Sequence, residues 1–154
     1  MLPIKKILCP VDFSELSRNA MAVAIEMAAT FGSELHLLHA FEGYDEISLS
    51  PETALTPLPQ WLVKLRQVCL EKLSELPGPD HAAKCGAVVR AFREGPAIPE
   101  ILSYADQHKI ELIVLATHGR TGIKHLLMGS VAENVVRGAK CPVLTIRGGE
   151  PAKT

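Results

Sequence analysis

Two short segments hold residues whose types and spacing could bind an anion. The first is Ala116-Thr117-His118-Gly119-Arg120-Thr121-Gly122, which runs on to Gly129-Ser130-Val131-Ala132-Glu133. Between Thr117 and Met128 lie two glycines, Arg120, Lys124, His118 and His125, and no acidic residue. Glycine lets the backbone approach a ligand and offer it N–H groups. Ser130 and Glu133 have capping-box spacing, so Ser130 is the expected N-cap of a helix. A helix N-terminus behind such a loop supplies unpaired N–H donors and a partial positive charge, which suits phosphate. The second segment is Pro10-Val11-Asp12, where Asp12 is the acid. A plainer reading stands beside this one: glycines after a strand are common turn residues, and many capped helices bind nothing.

Other chemistries find less support. No thiol or carboxylate neighbours His118 or His125 at ligand spacing, so they read as polar loop residues and no metal site is expected. His36 and His39 are expected on one face of a strand in a structural role. There is no Gly-x-x-x-x-Gly-Lys-Ser/Thr loop and no Gly-x-Ser-x-Gly elbow, so the expectation is a binding protein without a catalytic residue. Cys9, Cys69, Cys85 and Cys141 are widely spaced, and Cys9 and Cys69 fall in apolar runs as core residues do.

The elements that must position these segments alternate strand and helix. Ile4–Val11 is an almost unbroken apolar run, the mark of a strand buried on both faces. Asp12 and Ser14 can cap a following helix, whose stripe is Leu16, Ala20, Val23, Ala24, Met27 and Phe31, with Gly32 placed to end it. Glu34–Phe41 reads as a second strand and 42–59 as a long loop. Trp61–Leu76 is a helix, with Leu62, Leu65, Cys69, Leu73 and Leu76 inward, stopped by Pro77-Gly78-Pro79. Lys84–Arg93 is a third strand, and Gly95-Pro96 opens a helix with Ile98, Ile101, Leu102 and Ala105 inward. Glu111–Ala116, Ser130–Gly138 and Val143–Arg147 complete the series as strand, helix and strand. Such alternation implies a parallel sheet covered on both faces, a three-layer α/β sandwich.

Length and charge bound the rest. The 154 residues suit one domain over 1–147, with 148–154 as a C-terminal tail. A 47% hydrophobic and 21% charged composition is that of an ordinary globular chain. A formal net charge of −1 gives no bulk attraction to nucleic acid or an anionic membrane, so any anion site must be built locally. No apolar run approaches the roughly 20 residues of a membrane-spanning helix, and the start lacks a signal-peptide pattern. A cytoplasmic protein without nucleic-acid or membrane partners is expected.

At these residues the chain resembles the universal stress protein family. The likeness runs through Lys-Lys-Ile-Leu-Cys-Pro-Val-Asp-Phe-Ser, Leu-His-Leu-Leu-His-Ala, Thr-His-Gly-Arg-Thr-Gly, Gly-Ser-Val-Ala-Glu and Cys-Pro-Val-Leu-Thr-Ile. The ATP-binding branch of that family carries Gly-x-x-Gly, nine residues, then Gly-Ser or Gly-Thr. Here Gly119 matches the second glycine, and Gly129-Ser130 close the motif. The resemblance implies a five-stranded parallel sheet in the order 3-2-1-4-5, with a nucleotide cleft between strands one and four. It places Pro10, Val11 and Asp12 against the adenosine, Ala40 at the adenine through its backbone, and Leu115 beside the base. Gly119, Gly129, Ser130 and Val131 would hold the phosphates of ATP, with or without magnesium. Arg120 is added on charge alone.

One position departs from the motif: Ala116 stands where the first glycine is expected. If that site needs positive φ, alanine costs about 1–2 kcal/mol, or about tenfold in affinity. At the end of a regular strand it would fit without strain. The resemblance thus implies a nucleotide-binding protein with a regulatory role in the stress response. The alternatives are a dimeric interaction protein that binds no nucleotide, and a weak ATPase. The apolar final strand, Pro142–Arg147, should form a sheet edge. By resemblance it would pair two copies into a homodimer.

Overall fold

The structure is a computed structural model and describes residues 3–43, 57–118 and 128–148. Strands β1 (Lys6–Pro10), β2 (Glu34–Phe41), β3 (Ala87–Glu94), β4 (Leu112–Ala116) and β5 (Val143–Ile146) form one parallel sheet in the order β3-β2-β1-β4-β5. Helices α1 (Glu15–Phe31), α2 (Gln60–Glu75), α3 (Pro79–Ala82), α4 (Ala97–His108) and α5 (Ser130–Gly138) connect the strands. The α/β sandwich and its strand order are therefore as expected. On one face Ile7, Cys9, Leu35, Leu37, Leu112 and Val114 form a core with α1; on the other Leu8, Leu38, Ile113 and Leu115 pack on α4 and α5. Burial on both faces is why β1 and β4 read as continuous apolar runs.

Local chemistry sets most boundaries. The Ser14 side chain caps α1 by accepting a hydrogen bond from the Ser17 N–H, and Gly32 ends the helix at φ 65°. The α1 stripe is rotated from the expected one: Ser17, Ala20, Met21, Ala24, Ile25 and Ala28 are buried. Leu16, Val23, Met27 and Phe31 are only partly buried. Small side chains along the contact line let the helix approach the sheet, and the bulkier residues flank it.

Strand β3 begins at Ala87, later than expected, because Pro79 starts the extra turn α3 behind Gly78 at φ 90°. The Lys84 and Cys85 N–H groups donate back to His81 and Ala82, which removes them from the strand. On α2, Leu62, Cys69 and Leu73 are buried as expected, whereas Leu65 is exposed and Leu76 half-buried. On α4, Ile101 and Ala105 are buried together with Tyr104, while Ile98 and Leu102 are only half-buried.

The two strand histidines do not share a face. Residues three apart on a strand point to opposite sides. His36 packs under α4 against Tyr104, and His39 points to the other side, against Phe13 and Phe92. Both are buried.

Candidate functional site

Strand order reverses about β1, which has β2 on one side and β4 on the other. In open parallel sheets a ligand crevice forms beyond the carboxyl ends of the strands at such a point. A cleft of about 520 Å³ opens there. Its floor is Pro10 at the end of β1 with Val11 and Asp12 just beyond it, Ala40 and Phe41 at the end of β2, and Leu115 and Ala116 at the end of β4 with Thr117 just beyond. Two helix N-termini complete it, Ala97 of α4 and Gly129 to Ala132 of α5.

Of the eleven residues expected in the site, Gly119 and Arg120 lie outside the described residues, as do Gly122, Lys124 and His125. The other nine, Pro10, Val11, Asp12, Ala40, Leu115, Ala116, Gly129, Ser130 and Val131, all line this cleft. Leu115 is buried and roots the wall in the core; Val131 is exposed on the first turn of α5.

The Asp12 segment is tightly built. Asp12 Oδ1 accepts hydrogen bonds from the Ser14 N–H, at 2.9 Å, and from the Ser14 hydroxyl. This side-chain-to-backbone turn leads the chain out of β1 and into α1. Between them, Phe13 has φ 65°, a left-handed conformation rare for a bulky residue. Pro10, with no N–H, ends the β1 ladder. The Val11 N–H still donates to the Leu38 carbonyl at 2.8 Å and keeps the segment on β2.

The start of α5 corrects one expectation. Gly129 is the N-cap, extended at φ −73° and ψ 161°, and Ser130 is the first helical residue. The Gly129 carbonyl accepts the Glu133 N–H at 3.0 Å, which fixes the start one residue before the expected cap. The capping box does not form: Glu133 pairs with Arg137 at 2.8 Å, and no side chain of the cap residue bonds the helix. The N–H groups of Ser130, Val131 and Ala132 thus have no intrahelical acceptor and lie along the cleft. At α4 the equivalent position is filled, since Glu42 Oε1 accepts the Ala97 N–H at 2.7 Å.

Ala116 sits in regular strand, paired with Ile146. The described non-glycine residues with positive φ are Phe13 and Lys109, so alanine here carries no left-handed strain.

Several lining residues escape sequence reasoning: Ser17, His39, Glu42, Cys69, Ala97 and His118. His39 was within reach, because strand alternation puts it on the face opposite His36 near the end of β2. The others come from elements whose approach to the cleft is set by helix packing. Burial raises the Cys9 thiol to about 12 and also pushes up Cys85 and Cys141. These three are held as thiols at neutral pH, a form with little nucleophilic character. Among the described residues no group of three or more histidines, cysteines or carboxylates could hold a metal ion, and no helix is long and apolar enough to cross a membrane.

The comparisons with known proteins agree with this fold. The family model for the universal stress protein family matches residues 3–147. Universal stress protein MJ0531 of Methanocaldococcus jannaschii is 32% identical over 144 residues, covering 93% of this chain and 82% of that protein. The universal stress protein UspA of Lactobacillus plantarum superposes with a TM-score of 0.82 at 26% identity, over 96% of this chain and 100% of that one. A universal stress protein solved in complex with cAMP shares the fold at a TM-score of 0.61 and 24% identity, over 94% of this chain and 98% of that one. The chain belongs to the universal stress protein family.

Proposed function

We propose that the cleft holds an adenine nucleotide, ATP in the first instance, and that the chain acts as a nucleotide-occupied regulatory protein in the stress response. The observation that carries this reading is the start of α5, where backbone N–H groups that no side chain caps among the described residues face the same cleft as Asp12. That pairing suits a ligand with phosphate at one end and hydroxyls at the other, since N–H groups bind phosphate and a carboxylate accepts from ribose or base. Ala40, Leu115 and Ala116 offer backbone and apolar surface between the two ends. Gly119 and Arg120, expected phosphate contacts, belong to the reading on sequence alone. Fold neighbours include the protein solved with cAMP.

A binding role is proposed over catalysis because, among the described residues, the acids lining the cleft are Asp12 and Glu42, and both are already committed, Asp12 Oδ1 to Ser14 and Glu42 Oε1 to the Ala97 N–H. Magnesium would arrive with the nucleotide, held by phosphate oxygens as this cation commonly is. A cytoplasmic location and a homodimer paired through β5 complete the proposal. On β5, the Pro142 and Ile146 carbonyls accept from Ile113 and Thr117, so Val143 and Thr145 turn their backbone groups outward at the sheet edge. Thr145→Pro removes one outward N–H and leaves the β4 pairing intact. It should convert a dimer to monomer in sedimentation velocity; a wild-type monomer would rule the dimer out.

The test of the nucleotide reading is direct. Denatured, purified protein should release an adenine nucleotide resolved by anion exchange, and stripped protein should bind ATP in calorimetry. No released nucleotide together with no binding at millimolar ATP would sink it.

A further inference from the structure

Asp12 is flanked by two residues that both touch His39. The Val11 carbonyl accepts a hydrogen bond from His39 Nδ1 at 2.8 Å. A carbonyl has no proton to give, so Nδ1 carries the hydrogen and the tautomer is fixed on that side. On the other flank the Phe13 ring lies 4.5 Å from the imidazole, centroid to centroid. Phe13 is also the residue held at φ 65°, and a bulky side chain stays there only when its surroundings over-determine it. The His39 ring supplies one such contact, and the Lys72 ammonium 5.7 Å over the Phe13 ring supplies another.

We propose that His39 is a positioning residue for the cleft: by gripping Val11 and Phe13 it sets where Asp12 presents its carboxylate. This rests on the reading of the cleft as a nucleotide site. His39 lines the cleft but is only 4% exposed, and its Nδ1 is committed to Val11, so it acts on a ligand through Asp12. Beyond Pro10 the β1 ladder ends, and Val11 stays on β2 through its own N–H to Leu38 and its carbonyl to His39. The Ser14 N–H then fixes Asp12 Oδ1. Loss of the imidazole donor frees the Val11 carbonyl and lets the turn pivot about Asp12.

The test uses calorimetric titration with magnesium ATP and two substitutions that differ in which ring nitrogen they replace. His39→Asn puts an amide N–H in the place of Nδ1, whereas His39→Gln reaches the place of Nε2. His39→Gln should weaken binding about tenfold and His39→Asn by less than about threefold, the size expected for one buried hydrogen bond. The glutamine penalty should vanish in an Asp12→Asn background, because a residue acting through Asp12 is not additive with it. Equal losses in the two variants, or a glutamine penalty undiminished in the Asp12→Asn background, would overturn the proposal. A wild-type protein that binds no ATP overturns the nucleotide reading and the role of His39 together. A wild-type protein that binds, with His39→Gln unchanged, overturns only the latter. Should His39→Gln fail to fold, nitrogen NMR of the wild-type imidazole decides: a proton on Nδ1 in the ATP complex is expected, and a proton on Nε2 alone would refute it.

Discussion

Two helices point their N-termini into one cleft, and the protein treats them differently. At α4 the Glu42 carboxylate from the end of β2 accepts the first N–H, so the positive end of the helix is already answered by the chain. Its far end is fixed as well. His36 shares 2.8 Å with the Tyr104 hydroxyl and 2.6 Å with Glu34, and the Tyr104 ring stacks on His108 at 4.0 Å. At α5 the cap is a glycine, and among the described residues no side chain fills its place. The lesson is that a helix N-terminus becomes a candidate anion site only where the fold leaves it unanswered.

The largest expected effect comes from making α5 resemble α4. Gly129→Asp is tolerated by the extended backbone there and gives the helix its own carboxylate cap. ATP affinity in calorimetry should fall about a hundredfold, or about 2.7 kcal/mol, while the melting temperature holds or rises. Unchanged affinity would remove α5 from the site. The reverse change, Glu42→Gln, takes the charge from the α4 cap. It should cost about 1 kcal/mol in urea unfolding and leave ATP affinity within about threefold. A large loss of affinity would mean that α4, too, contacts the ligand.

The anchoring of α4 is sharpened by pH. Burial lowers the His36 pKa from its ordinary value, and the hydrogen bond it donates to Glu34 only partly opposes this. The unfolded state therefore binds the proton first as pH falls, so this stability is intact above about pH 6.5 and is lost below it. Wild-type melting temperature should drop more steeply between about pH 6.5 and 5 than that of His36→Gln. Parallel curves would show that His36 does not set the slope. The smallest effect is expected at Ala116→Gly. With no left-handed strain to relieve, ATP affinity should change by less than about threefold, and the strand should lose about 1 kcal/mol from added backbone freedom. A tenfold gain would show that the methyl group crowds the ligand.

Much of this was legible from local chemistry. The apolar runs of β1 and β4, the Ser14 cap, Gly32 and the alternation of elements define the sandwich without any long-range information. The family resemblance then implied the strand order and nine described site residues, all of which line the cleft. The readings that moved were those in which two local signals competed. Ser130 lost the cap to Gly129 because the Gly129 carbonyl reaches the Glu133 N–H. The α1 stripe turned because its small residues fit closest to the sheet.

The sequence by itself determined the anion-suited residues of the 116–130 segment and the acid at Asp12, since composition and spacing are local properties. Tertiary structure alone decided which helix end was left open, because Glu42 and Ala97 are 55 positions apart and meet only through sheet packing. It also decided that His36 locks α4 while His39 grips the Asp12 turn. The physical reason is the two-residue period of a strand, which turns neighbouring histidines to opposite faces and lets the packed helices choose their partners.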